Sequence, residues 1–122
     1  IALRLSQSDT ATWLLKPRAS AKTEWPVGVI NTDKSVSHYV IDRYFEEDGV
    51  GWIIDYKSSQ PNEGESLASF IEKQVDSYKY QLIRYQYALK MLFSNRQDIT
   101  QLKTALYFPA IDVLHELSAQ SE

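Results

Sequence analysis

The stretch Ile41-Asp42-Arg43-Tyr44-Phe45-Glu46-Glu47-Asp48-Gly49-Val50-Gly51-Trp52-Ile53-Ile54-Asp55-Tyr56-Lys57 decides the fold. Two runs rich in aromatic and β-branched residues flank a polar tetrad that ends in glycine. That arrangement predicts a β-hairpin, with strands over 35–46 and 50–57 and a turn at Glu46-Glu47-Asp48-Gly49. Strict alternation puts Val36, His38, Val40, Asp42 and Tyr44 on one face of the first strand. Tyr39, Ile41, Arg43 and Phe45 fall on the other. Trp52-Ile53-Ile54 is apolar on both faces, so the second strand is expected to be central and covered on both sides.

Outward toward the N-terminus, Asn31-Thr32-Asp33-Lys34 reads as a turn. Residues 22–30, with Trp25, Val27, Val29 and Ile30, read as a further strand, and Pro26 within it predicts a sheet edge. Residues 1–15 read as short helical material, with Asp9 and Thr10 as caps before Trp13-Leu14-Leu15 and Pro17 as the breaker. Toward the C-terminus, residues 58–66 are rich in Ser, Pro, Asn and Gly and predict a loop, with Ser66 as the N-cap of a helix. From Leu67 to about Asn95 the period becomes helical. Ile71, Val75, Tyr78, Leu82, Tyr85, Leu89 and Leu92 form one apolar stripe. Leu102–Phe108 reads as a strand ended by Pro109, and 111–117 as a short strand or a turn of helix. The order of helix, three antiparallel strands, long helix and strand is that of an α/β domain, with a central mixed β-sheet, antiparallel hairpin strands and flanking helices.

The bulk numbers agree. The chain has 122 residues, 43% hydrophobic, enough for one core and one domain. No apolar run approaches the ~20 residues that span a bilayer. The absence of cysteine excludes disulfides and thiolate metal sites. The net charge of −3 is unlike that of a stand-alone nucleic-acid-binding module, which is usually basic.

Chemistry concentrates around the hairpin. Asp55 and Lys57 are two apart on a strand and leave the same face. Charged groups beside Ile53 and Ile54 cost free energy unless paired, solvated or bound to a metal. The hairpin brings Asp42 onto the neighbouring strand. Two carboxylates at a strand end suit a hard divalent cation such as Mg²⁺, with the backbone carbonyl of Tyr56 as a further ligand. A metal there would lower the pKa of a bound water, and the lysine would neutralise charge developing on a phosphoryl oxygen. The bland reading of a bare Asp-x-Lys is a surface ion pair worth ~0–1 kcal/mol. On the long helix, Gln81 and Tyr85 are four apart and share a face. They read either as core and core margin or as hydrogen-bonding groups of the site. Arg43, Lys57, Lys73, Lys79, Arg84 and Lys90 are candidate phosphate contacts, interleaved with tyrosines able to stack on bases; their plainer reading is a solvated helix face.

Asp42, Asp55-Tyr56-Lys57 and Gln81-Leu82-Ile83-Arg84-Tyr85, in that order, resemble the PD-(D/E)XK nuclease superfamily in its RecB-like branch. Trp13-Leu14-Leu15, Ser20 to Glu24, Ile41-Asp42-Arg43, Trp52 to Lys57 and Leu106-Tyr107-Phe108-Pro109 are similar to stretches in the C-terminal region of AddA-like helicase-nucleases of the UvrD/Rep type. The resemblance implies a restriction-endonuclease-like core and Mg²⁺-dependent DNA cleavage, with Mn²⁺ as a substitute. It implies Asp42, Asp55, Lys57, Gln81 and Tyr85 as the catalytic set and Arg43, Lys79 and Arg84 as DNA contacts. It also implies a bacterial, cytoplasmic setting in double-strand-break repair. DNA, as a single strand or a duplex end, is then the partner, with an ATP-driven motor in the same parent chain and a second helicase-nuclease subunit. The sequence has no Gly-x-x-x-x-Gly-Lys-Ser/Thr phosphate loop, so ATP is expected to serve only that motor. Relatives carry a further ligand, often histidine, on a helix upstream of the sheet. That helix is expected to precede this sequence, because the first fifteen residues hold no histidine. His38 and His115 are not expected to replace it. Ser58 stands where relatives often have threonine. The alternative is a non-catalytic module that keeps the nuclease fold to grip DNA or a partner subunit.

Overall fold

In a computed structural model, residues 8–117 are described. The element order is α1 (Asp9–Leu15), β1 (Lys22–Ile30), β2 (Val36–Glu47), β3 (Val50–Tyr56), α2 (Leu67–Leu92), β4 (Gln101–Phe108) and β5 (Val113–Glu116). The strands form one five-stranded sheet in the order β1-β2-β3-β4-β5. All neighbours are antiparallel except β3 and β4, which run parallel across the α2 crossover. The domain is thus mixed α/β, with β3 central and Pro26 on an edge strand. The segment 111–117 resolves into β5, paired antiparallel with β4.

Local chemistry explains the boundaries. The β2–β3 turn is tighter than expected: Glu47 pairs with Val50, leaving Asp48 and Gly49 as the two-residue loop. Both have positive φ, 54° and 80°, the geometry that favours glycine in a hairpin whose twist matches its strands. Ser66 caps α2 by accepting from Ser69 N–H. The cap of α1 is Ser8 rather than Asp9 or Thr10: its hydroxyl oxygen accepts from Ala11 N–H and its proton goes to Asp112. The helical expectation for residues 1–7 falls outside the described residues. α2 ends at Leu92, three residues before Asn95, and Leu92 is exposed rather than part of the buried stripe. Phe70 and Ala88 take part in the core instead.

The sheet carries a core on each face. On the α2 side, Ile41, Tyr44, Ile53, Leu82, Tyr85, Leu89, Leu106 and Phe108 pack together. On the α1 side, Leu14, Phe45, Ile54, Ala105 and Tyr107 do, edged by Trp13 and Trp52. Burying Leu14 alone contributes about 2 kcal/mol. Ile53 and Ile54 point into opposite cores, as expected for a strand covered on both sides.

The alternation expected along β2 fails at one step. Tyr39 packs edge-on against Tyr85 of α2, and Ile41 lies in the same core. Yet Tyr44 is also in that core, while Arg43 and Phe45 contact α1. Ile41 and Tyr44 differ by an odd number, so the two-residue period slips between Ile41 and Arg43. β1 slips at the matching position. Thr23 meets Arg43 on the α1 side, whereas Trp25 packs on Tyr44 on the α2 side. Between them Glu24 has φ of 46°, uncommon for a residue with a side chain. This shared break positions the site.

Candidate active site

One step beyond the Arg43↔Ile54 pair, the β2–β3 register sets Asp42 opposite Asp55. Because of the slip, both face α2. The Asp42 carboxyl group is close enough to act directly on that of Asp55. Asp42 Oδ2 also accepts from Tyr56 N–H at 2.9 Å, which fixes the carboxylate at the end of β3. A strand residue's N–H and C=O point to the same neighbour, so the Tyr56 carbonyl is directed to the β2 side as well.

Asp55 is 4% exposed and lies in the centre of the sheet. Burial pushes its pKa above the carboxylate's ordinary 3.8, the Lys57 ammonium pulls it down, and Asp42 pushes it up again. Lys57 Nζ lies 2.8 Å from Asp55 Oδ2. That oxygen is buried and meets no aligned hydrogen-bond donor. The contact is therefore an ion pair held by proximity, not a directed hydrogen bond. The ammonium also sits 3.6 Å from the centre of the Tyr78 ring, a cation–π contact. Tyr78, expected in the apolar stripe or as a base-stacking tyrosine, proves instead to support the Lys57 ammonium. The available signal was its spacing of seven residues from Tyr85, which puts both on one helix face.

Gln81 Nε2 donates to Tyr85 Oη at 2.7 Å. The two readings of this pair merge. The Tyr85 ring is core, packed on Tyr39, while its hydroxyl senses the carboxylates. Burial raises the Tyr85 pKa and the charges of Asp55 and Asp42 raise it further, so the phenol stays protonated. Having accepted from Gln81, the hydroxyl keeps its own proton to donate.

Other candidates fall elsewhere. Arg43 does not reach the site or the exposed face of α2. It is buried on the α1 side, donating to the carbonyls of Leu14 and Lys16 and to the Thr23 hydroxyl. The cause is the same slip, which turns Arg43 away from Asp42 and toward the carbonyls at the end of α1. Lys79 lies 3.5 Å from Asp76 and Lys73 lies 3.1 Å from Glu65. Arg84 and Lys90 are exposed on α2. Ser58 is exposed beyond β3. His38 is exposed beside Gly28 on the face away from α2, and His115 lines a cavity with Leu67, Ile71 and Val75. Neither histidine joins the carboxylates.

The donor set fits a hard cation that keeps much of its own water. Asp42 and Asp55 offer carboxylate oxygens and Tyr56 a carbonyl, and the buried, undersatisfied Oδ2 favours a positive charge beside it. Among the described residues, no group of three or more His, Cys, Asp or Glu side chains gathers to hold a metal. No described helix is long and apolar enough to cross a membrane. Comparison with models of known protein families gives no match, and no curated protein matches the sequence.

Proposed function

We propose that this domain is a metal-dependent DNA nuclease of the PD-(D/E)XK type, with a restriction-endonuclease-like core, acting in double-strand-break repair beside an ATP-driven helicase motor. The observation that carries the reading is the convergence of Asp42, Asp55 and Lys57 on the α2 side at the end of the β2–β3 hairpin. Asp42, Asp55 and the Tyr56 carbonyl would hold Mg²⁺ or Mn²⁺. When bound, such an ion would lower the pKa of a coordinated water so that hydroxide is available at neutral pH, and would polarise a phosphoryl oxygen.

The protein's own groups do the rest. Lys57, held between Asp55 and the Tyr78 ring, neutralises negative charge that develops on the phosphate. Tyr85, kept neutral by burial and by the nearby carboxylates and oriented by Gln81, donates to a phosphate oxygen. Arg84 and Lys90 on the exposed side of α2 add salt-sensitive attraction to the DNA backbone.

Cleavage of end-labelled single-stranded and duplex DNA tests this. The protein cuts in Mg²⁺ and not in excess chelator, and Asp55→Asn or Lys57→Ala lowers the rate by about 10³-fold. Cutting by both variants at the parent rate would overturn the reading. The second reading, a non-catalytic module, draws on the pairing of only two carboxylates with an already ion-paired lysine. Titration calorimetry separates them: a nuclease site takes up Mg²⁺ with heat that vanishes in Asp42→Ala, and a dead scaffold shows none.

A further inference from the structure

Two buried side-chain oxygens among the described residues meet no aligned hydrogen-bond donor. One is Asp55 Oδ2 and the other is Gln74 Oε1. Metal binding and the ion pair with Lys57 account for the first and not for the second. Gln74 lies on α2 four residues before Tyr78, seven before Gln81 and eleven before Tyr85. At 3.6 residues per turn these four share one stripe, and Gln74 extends the site-lining face by one turn past Tyr78. Tyr78 is the residue whose ring carries the Lys57 ammonium. A neutral, buried, donor-less acceptor is thus the helix neighbour of the lysine's aromatic support.

The lysine has use for it. An ammonium has three N–H donors and no acceptor. Its anionic contact is Asp55 Oδ2, and its side chain is only 17% exposed, so water is a poor substitute. Whatever else claims Asp55 leaves a buried cation in need of an oxygen. Lysine's four-carbon stem is flexible enough to swing the charge along the helix face.

We propose that Gln74 Oε1 is a second seat for the Lys57 ammonium, filled when Asp55 is engaged by something other than Lys57. On the nuclease reading that competitor is the metal ion, and Gln74 then keeps the ammonium beside the phosphate instead of losing it to solvent. Gln74 is a positioning residue that acts through Lys57.

A thermal-unfolding cycle tests the seat without reference to cleavage. In the parent background Gln74→Leu removes an unsatisfied acceptor at similar volume, so the Tm rises by roughly 2–5 °C. In the Asp55→Leu background Lys57 depends on Gln74, so the same change lowers the Tm by a comparable amount. Adding Lys57→Met to that background abolishes the loss. A shift of the same sign in both backgrounds overturns the proposal. Should Asp55→Leu not fold, Asp55→Ala poses the same question, since it too leaves the ammonium without its carboxylate. A separate arm rests on the nuclease reading: Gln74→Leu weakens Mg²⁺ binding in calorimetry by about tenfold, with Gln74→Asn restoring part of it. Absence of Mg²⁺ binding by the parent protein sinks the nuclease reading alone, because the unfolding cycle still decides the role of Gln74.

Discussion

Arg43 and Asp55 are buried charges on adjacent strands, one on each face of the sheet, and their surroundings differ in kind. Arg43 spends its guanidinium on two carbonyls and a hydroxyl that close the end of α1 over the Phe45 core. Asp55 keeps an oxygen without an aligned donor, beside a second carboxylate. A buried charge tied by three aligned hydrogen bonds to the end of a helix and a neighbouring strand is scaffold. A buried charge left short of partners costs stability and is retained where chemistry uses it. The α1 face is a closed polar clasp over an apolar core, and the α2 face contains an unfinished one.

The largest test of this contrast is Arg43→Ala. It strands the carbonyls of Leu14 and Lys16 and opens the α1 core, so urea unfolding should show a loss of about 3 kcal/mol. An effect below about 0.5 kcal/mol would mean that the clasp is ornamental. Asp55→Asn goes the other way. The amide keeps an oxygen for the Lys57 ammonium, can donate to Asp42 and no longer bears a desolvated charge, so stability at pH 7 should rise by about 1 kcal/mol. The sign comes from linkage. A folded-state pKa raised above 3.8 means that the native state holds the proton more tightly than the unfolded chain does. Ionised Asp55 therefore opposes folding in full above its folded pKa, and that cost fades as pH falls toward 3.8. The advantage of the variant should shrink over the same window, as read by urea midpoints across pH. A constant advantage would assign the effect to shape instead of charge.

The smallest test lies at the rim of the α2-side core. Arg96 donates to both carboxylate oxygens of Glu46 at 2.7 and 2.9 Å and also pairs with Asp98. Its hydrogen bonds hold the Glu46 pKa below the usual 4.5 despite some burial. A depressed carboxylate stabilises above its unfolded pKa and loses that contribution as pH falls through the folded one. Arg96→Ala should thus melt slightly below the parent at pH 7 and converge with it in acid below 4.5. A gap that persists in acid would make Arg96 a packing residue.

Much of this was legible in the residues. The hairpin announced itself by its two apolar runs and its glycine turn, and β3 by apolar residues at successive positions. Asp55 and Lys57 could be set on one face by counting alone. The partners could not be counted. Tyr78 looked like any core residue of a stripe. Arg43 looked like a basic residue beside an acidic one. Tyr78 and Arg43 acquired their roles from contacts many positions away: Lys57 for Tyr78, Leu14 and Lys16 for Arg43.

By itself the sequence determined the order of elements from α1 to β4, a hairpin turn closed by glycine, the edge position of Pro26 and the spacing of the charged pair, because these depend on local sterics and on periods of two and 3.6. Only the tertiary structure decided which face Asp42 occupies. Alternation carried forward from Val36 joined Asp42 to His38 and Val40. The slip shared by β1 and β2, with Glu24 at positive φ, turned it toward α2 and Asp55. Such a slip leaves composition and hydrophobic pattern almost unchanged. It is settled by cross-strand packing, where burying Tyr44 and Ile41 on one face and Arg43 with Phe45 on the other outweighs the cost of one strained backbone position.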